Sequence, residues 1–193
     1  MNSTTRTVAV LAIAALGSTP ALANDGLRFF IGAALTGGGE KLSTVTFTDG
    51  SSENIKSGGL VHLFGGIEYR QGAFALQANV GYHVDDTSAA SNGSVKFSRM
   101  PIELLGFWQV ADSWRFGGGL RRAGSAKLSG SGAAASVGRS TFSSKGGLVL
   151  QGETFFGTNQ ATSAYLRYVT EDYELRGVSV SGNHVGLGIA HRF

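Results

Sequence analysis

The chain of 193 residues has no cysteine, only two prolines and few charged residues, which make up 15% of the total. The absence of cysteine excludes a disulfide framework, a catalytic thiol and any metal site with cysteine ligands. Beyond the N-terminal segment, no stretch approaches the roughly 18 uninterrupted apolar residues of a membrane-spanning helix. A chain without such a helix can cross a membrane only as a closed barrel, because open strand edges cannot be satisfied in lipid.

The N-terminal segment has the three parts of a secretory signal peptide. Arg6 lies in a short polar start, residues 8–16 form an apolar run, and residues 21–23 provide the small side chains of a cleavage site. The apolar run is too short to span a membrane, although a retained anchor helix is the alternative interpretation. We therefore predict a signal peptide at residues 1–23, cleaved after Ala23, followed by a single domain at residues 24–193.

The rest of the chain contains eight segments in which apolar and polar residues alternate with the period of two that is typical of strands. Their approximate bounds are residues 27–36, 58–70, 73–83, 95–110, 114–123, 144–156, 163–170 and 182–193. Three of the links between them are short, at 71–72, 111–113 and 157–162, and four are long and polar, at 37–57, 84–94, 124–143 and 171–181. This regular sorting predicts an all-β fold, an eight-stranded antiparallel up-and-down transmembrane β-barrel with both termini in the periplasm. A soluble β-sandwich has no reason to sort its loops by length.

Aromatic residues cluster close to the short links and the chain ends. Rings in a membrane protein collect at the membrane–water boundary, so this distribution predicts a periplasmic girdle. We assign to that girdle Phe29, Phe30, Tyr69, Phe74, Trp108, Trp114, Phe155, Phe156, Tyr165 and Phe193. A thinner outer girdle would comprise Tyr82, Phe97, Phe142 and Tyr168. The alternative is an ordinary aromatic core.

The last predicted strand shows the clearest alternation between an apolar face and a face of mostly small residues. Its apolar face carries Val185, Leu187, Ile189, His191 and Phe193, with small residues between most of them. The terminal Phe193 resembles the signal by which outer-membrane barrels are recognised for insertion by the barrel-assembly machinery. His191 departs from that signal, because an aromatic residue is more usual at its position.

The opposite parity of each strand predicts the side chains of the lumen. Eight strands enclose only enough room for side chains, so we expect a polar plug in which buried charges are paired. Hairpin register around Asp112 places Glu103 opposite Arg121, and register around Gln160 places Glu153 opposite Arg167. A third pair would join Glu68 to Arg28. We interpret the network as a static set of ion pairs that fills the lumen. The alternative is a gate that opens when the ion pairs exchange partners.

Strand count, loop alternation and the closing segment at residues 175–193 together resemble the family of small eight-stranded outer-membrane proteins that includes OmpX and the barrel domain of OmpA. The resemblance covers the whole mature chain. It implies a monomeric barrel in the outer membrane of a Gram-negative bacterium, without a cofactor. It also implies a structural, adhesive or envelope-stress role.

Charges near the predicted outer loops suggest possible partners. Residues 114–152 include no acidic residue, and the cations Arg122, Lys127 and Lys145 are expected to meet lipopolysaccharide phosphates, with a merely solvated loop as the alternative. A nucleic acid is not an expected partner of an exported barrel. Acidic residues at 85–86 and 171–174 could hold calcium, but their spacing favours solvated loops without a metal.

The sequence predicts that the protein is not an enzyme. His184 with Ser179 or Ser181 lies at the height where a lipid A-modifying barrel enzyme would act, yet no compact motif surrounds it. We expect an integral outer-membrane surface protein with a plugged polar lumen. Its four outer loops would contact lipopolysaccharide or a host or matrix ligand. A narrow pore for small solutes and, less favoured, a lipid A-modifying enzyme are the alternatives.

Overall fold

The computed structural model describes residues 25–46, 50, 52–87, 93–132, 134–157 and 160–193, so the predicted signal peptide lies outside the described residues. Within these ranges the chain is almost entirely strand, and the one turn of 3-10 helix is at Ala135–Val137. No helix in this part of the chain is long and apolar enough to cross a membrane. The strands are β1 Gly26–Gly38, β2 Lys41–Thr46, β3 Ser52–Lys56, β4 Leu60–Gln71, β5 Phe74–Asp86, β6 Gly93–Ala111, β7 Trp114–Gly132, β8 Arg139–Phe156, β9 Thr162–Leu175, β10 Val178–Ser181 and β11 His184–Arg192.

Eight of these strands form a closed antiparallel ring. Its order is β1, β4, β5, β6, β7, β8, β9 and β11, and β11 returns to β1 with Ala33 opposite Ile189. Strands that neighbour each other along the chain also neighbour each other in the ring, apart from the β2–β3 hairpin and β10. Such closure leaves no ladder edge facing lipid along the barrel wall.

The outward face of the ring is apolar because side chains alternate along each strand. On β6, Leu104 is 50% exposed while its neighbour Leu105 is fully buried. The same alternation exposes Phe29, Leu76 and Leu187 on other strands. A continuous apolar surface of this size on a closed barrel needs hydrocarbon as its solvent. The predicted eight-stranded antiparallel up-and-down transmembrane β-barrel is therefore confirmed.

The short links and the long loops lie at opposite ends of the barrel. The short links from β4 to β5, from β6 to β7 and from β8 to β9 lie at the same end of the barrel as the start of β1 and the end of β11, and we call this the turn end. At the other end, the loop end, β6, β7 and β8 continue as strands of 18 or 19 residues. About 9–11 residues suffice to cross a bilayer. Most of the predicted third loop, residues 124–143, is therefore a hairpin of β7 and β8 rather than irregular chain.

An apolar cluster inside the loop end explains why these strands continue. We call it the outer apolar core, and its central residues are Ile55, Val95, Phe97, Phe142 and Tyr173. The Phe97 ring meets those of Phe142 and Tyr173 edge to face, at 5.6 Å in both cases. Ile55 reaches this core from the β2–β3 hairpin, which thereby covers the loop end of the lumen.

The predicted aromatic girdles are partly wrong. Phe97 and Phe142 belong to the outer apolar core rather than to an outer girdle, and Phe30, Phe155 and Tyr165 are buried inside the barrel. The physical reason is parity, since neighbours such as Phe29 and Phe30 in one strand cannot share a face. Of the rings assigned to the periplasmic girdle, those of Phe29, Tyr69, Phe74, Trp108, Trp114 and Phe156 are exposed.

Candidate functional site in the barrel interior and at its loop end

A group of ion pairs that we call the turn-end network fills the lumen nearest the short turns. Glu68 lies 2.7 Å from Arg28, 2.8 Å from Arg115 and 3.1 Å from Arg192. Glu153 lies 2.8 Å from Arg115 and 2.6 Å from Arg192. Gln77 and Ser163 donate further hydrogen bonds to Glu68 and Glu153, respectively. Each carboxylate thus has several charge-assisted partners, which is what a charge removed from water requires.

A second group, the central network, lies between the turn-end network and the outer apolar core. Arg121 bridges two carboxylates, with Nη1 at 2.5 Å from Oε1 of Glu103 and Nε at 2.9 Å from Oε2 of Glu171. Arg167 reaches Glu103 at 3.1 Å, and Arg99 approaches Glu171 at 3.6 Å. Every one of these five side chains is almost completely buried.

The register brings two of the three predicted pairs directly opposite each other. Glu103 faces Arg121 across β6 and β7, and Arg28 faces Glu68 across β1 and β4. The predicted pair of Glu153 with Arg167 is wrong. Phe156 pairs with Thr162, so the register of β8 and β9 differs by two residues from the predicted one, and Tyr165 rather than Arg167 stands opposite Glu153.

Two members of the central network, Glu171 and Arg99, are not among the predicted lumen charges. The sequence predicts a solvated acidic loop at Glu171, but β9 continues past this residue and its side chain is buried. Arg99 has the same parity on β6 as Glu103, and its side chain is buried in the lumen. The parity of Glu103 within the predicted strand at residues 95–110 already places Arg99 inside, whereas Glu171 lies one residue beyond the predicted strand at 163–170, so only Glu171 required a longer strand.

Aromatic faces stabilise the excess of arginine in the lumen, where each network has three arginines for two glutamates. The Arg115 guanidinium lies 4.2 Å from the ring centroid of Phe107 and 4.9 Å from that of Phe155. The Arg99 guanidinium lies 5.2 Å from the Phe97 centroid and 6.0 Å from that of Tyr173. These cation–π contacts add to the ion pairs in stabilising buried positive charge, because the arginines of both networks outnumber the carboxylates. The interior is thus filled by packed side chains along the described strands.

Three buried side chains, one from the central network and two histidines beside it, have the composition of a metal site. Potential ligand atoms of His83, Glu171 and His184 all lie within 4.8 Å of one another. The Glu171 oxygens already accept hydrogen bonds from Arg121 and from the Tyr173 hydroxyl. His83 faces Arg99 at 3.1 Å and Arg121 at 3.2 Å. The guanidinium groups of Arg99 and Arg121, which contact these ligand atoms, repel a cation, so these residues do not fit a metal ion.

The histidine considered for lipid A chemistry also points into this interior. His184 is buried, and its Nδ1 lies 2.8 Å from the carbonyl oxygen of Gly182 rather than beside Ser179 or Ser181. Its position is therefore inside the barrel, whereas a lipid substrate would approach from the outer surface.

The three cations expected to meet lipopolysaccharide all have exposed side chains at the loop end. Arg122 shares the outward face of β7 with Leu120, and Lys127 lies five residues further along that strand. Lys145 has an acidic partner, because its Nζ lies 2.9 Å from Oε2 of Glu174. Lys145 therefore has an acidic neighbour in the folded chain, although residues 114–152 include no acidic residue.

The residues of the predicted insertion signal form the outward face of β11. Val185, Leu187 and Ile189 are exposed to the lipid side. The His191 ring packs edge to face on Phe193 at 5.0 Å, and its Nδ1 lies 2.9 Å from the Thr162 hydroxyl. His191 therefore contributes a ring to this face where an aromatic residue is more usual.

Comparison with solved structures finds the same fold. The crystal structure of Ail, the attachment invasion locus protein of Yersinia pestis, matches with a TM-score of 0.51 at 15% identity, covering 88% of this chain and 99% of Ail. Ail in complex with the heparin analogue sucrose octasulfate matches with a TM-score of 0.51 at 13% identity over the same shares. Protein-family models and curated protein sequences give no match. The expected similarity to small outer-membrane barrels is thus confirmed for the fold.

Proposed function

We propose that the protein is a surface protein of the outer membrane of a Gram-negative bacterium, and that it acts through the hairpins at its loop end. The observation that carries the proposal is the continuation of β6, β7 and β8 beyond the length needed to cross a bilayer, around an apolar core of their own. Such a supported extension can present a fixed binding surface on a membrane-anchored base.

The route to the membrane is part of the same proposal. Residues 1–23 would direct export and be cleaved, and the outward face of β11 would be recognised by the barrel-assembly machinery. The turn end and both termini would then face the periplasm, and the loop end would face outward. A barrel closed on itself has no ladder edge in the membrane that needs a second copy, which favours a monomer.

The filled lumen supports a structural or adhesive role over a narrow pore. Ion pairs, cation–π contacts and the outer apolar core occupy the interior in succession. Solutes would have to displace buried charges from their partners, and this costs several kcal/mol for each charge. The enzyme alternative has less support, because His184 lies inside the barrel and away from lipid.

Lipopolysaccharide is the partner that we propose for the base of the extension. Arg122 lies on the lipid-facing side, where its long side chain can extend to phosphate groups in the outer leaflet. Lys127 is exposed further out, and Lys145 would contribute less because Glu174 already neutralises it. Ail, which shares the fold, was crystallised with a sulfated heparin analogue, so an anionic saccharide is compatible with such a barrel. A host or matrix ligand would bind further out on the hairpins.

We expect Arg122→Glu combined with Lys127→Glu to weaken binding of purified lipopolysaccharide to the detergent-folded barrel about tenfold or more. Each charge-assisted hydrogen bond contributes about 1.5–3 kcal/mol, and a reversed charge repels phosphate in addition. The matched control is Arg176→Glu, which reverses an exposed cation at the tip of the β9–β10 hairpin and should leave the affinity unchanged. Titration calorimetry at two salt concentrations measures the effect, and equal affinities for the double variant and the parent would refute the proposed contact.

A further inference from the structure

The lipid-facing surface has a groove near the turn end with a volume of about 490 Å³. Tyr69, Phe74, Leu76, Trp108 and Phe116 form its apolar lining, and Gln71 lies at its turn end. Its floor is at Gly106, where an added Cβ would meet no atom within 4 Å. Since Leu104 and Trp108 project outward on either side of Gly106 along β6, the missing side chain leaves a gap in an otherwise continuous apolar surface.

Two stacked aromatic pairs stiffen the walls of this groove. The rings of Phe74 and Trp108 stack at 6.5 Å with an angle of 12° between their planes. The rings of Trp114 and Phe116, two residues apart on β7, stack at 6.5 Å with an angle of 18° between their planes. Register places Trp108 opposite both Phe74 and Phe116, so the two pairs are held side by side. The groove is therefore shaped by packed rings and does not depend on one flexible side chain.

We propose that this groove binds one acyl chain of a phospholipid from the leaflet at the turn end. The inference rests on the proposed insertion of the barrel into the outer membrane. In that position the groove opens onto hydrocarbon, where no water is present to fill it, and an empty gap would lose dispersion contacts on every wall. An acyl chain restores those contacts, and the Gln71 amide lies at the boundary where the lipid's polar headgroup begins.

The two tryptophans allow a direct test, because the chain contains no others and only one of them lines the groove. Trp114→Phe leaves Trp108 as the reporter inside the groove, and Trp108→Phe leaves Trp114 as the matched control outside it. Each folded barrel is titrated in detergent micelles with a phosphatidylethanolamine that has brominated acyl chains, which quench tryptophan on contact. We expect Trp108 emission to fall along a saturable curve that levels at about one lipid per barrel, as for a discrete site. Trp114 emission should fall only in proportion to the mole fraction of brominated lipid.

Filling the groove should remove the saturable part of the curve. Gly106→Leu adds an outward side chain where there is open space, and its folding can be checked by circular dichroism. In the Trp114→Phe background this change should leave only proportional quenching of Trp108. The inference is overturned if Trp108 in the Trp114→Phe barrel is quenched only in proportion to the brominated lipid. It is also overturned if the saturable curve persists after Gly106→Leu is added. Trp108 emission that changes with barrel concentration and not with lipid would also overturn it, since a second barrel would then fill the groove. A chain that stays folded and soluble without detergent would instead refute the proposed membrane location.

Discussion

Replacement of Glu103 by alanine is expected to lower the free energy of unfolding in detergent by about 3–5 kcal/mol. Glu103 is the shared partner of Arg121 and Arg167, so its loss leaves two guanidinium groups with less compensation inside the barrel. Arg121 retains Glu171, and Arg167 retains the amide oxygen of Gln151 at 2.8 Å. Urea titration monitored by tryptophan emission measures the loss.

A double-mutant cycle shows whether the loss arises from the orphaned charge. The Glu103→Ala, Arg121→Ala variant should lose less than the sum of its single changes, because one orphaned charge disappears with its partner. The double variant should still have a lower free energy of unfolding than the parent, because Arg167 also loses Glu103. Glu174→Ala is the control, and it should cost about 0–1 kcal/mol because the Lys145–Glu174 pair is exposed. Strictly additive losses, or a loss below about 1 kcal/mol for Glu103→Ala, would contradict the buried network.

Replacement of Phe97 by alanine is expected to cost about 3–5 kcal/mol, the usual loss for a large aromatic residue removed from a packed core. Phe97 is fully buried between Phe142 and Tyr173, and it also lies under the Arg99 guanidinium. The loop-end hairpins should then open to protease while the membrane-spanning part of the barrel stays folded, because only the outer apolar core is weakened.

Limited proteolysis in detergent, followed by mass spectrometry of the fragments, locates the change. Cleavage in the Phe97→Ala variant should fall within the hairpin of β7 and β8 or within that of β2 and β3. Phe29→Ala removes a ring of the same size from the lipid-facing side and should leave the loop end as resistant as in the parent. Unchanged resistance of Phe97→Ala would show that the loop end does not depend on this core.

Much of the barrel could be predicted from the sequence because the period of two is a local signal. The parity that placed Glu103 and Arg121 inside and Leu104 outside needed only the alternation along β6 and β7. The length of the strands could not be predicted from this alternation alone. Residues 124–143 have the polar and glycine-rich composition of a loop, and the apolar core that keeps them extended is assembled from β3, β6, β7, β8 and β9. No single segment indicates such an assembly.

Most ion-pair partners within the two networks could not be predicted from the sequence. Hairpin register identifies neighbours across one ladder, as for Glu103 and Arg121. It does not identify partners across the lumen, such as Arg167 with Glu103, which are 64 residues apart, or Arg192 with Glu68, which are 124 apart. Those contacts follow from closure of the ring, and a difference of two residues in the register of β8 and β9 was enough to misplace the partner of Glu153.

The central claim is a membrane-embedded barrel with a closed interior, and single-cysteine accessibility tests it most directly because the chain has no cysteine of its own. Leu104→Cys and Leu148→Cys face lipid, whereas Leu105→Cys and Val149→Cys face the fully packed lumen. In vesicles, the first two variants should react with a membrane-soluble maleimide and the second two with no thiol reagent until the barrel is denatured. Rapid labelling of Leu105→Cys and Val149→Cys in the folded barrel by a water-soluble maleimide would show an open interior and contradict the account.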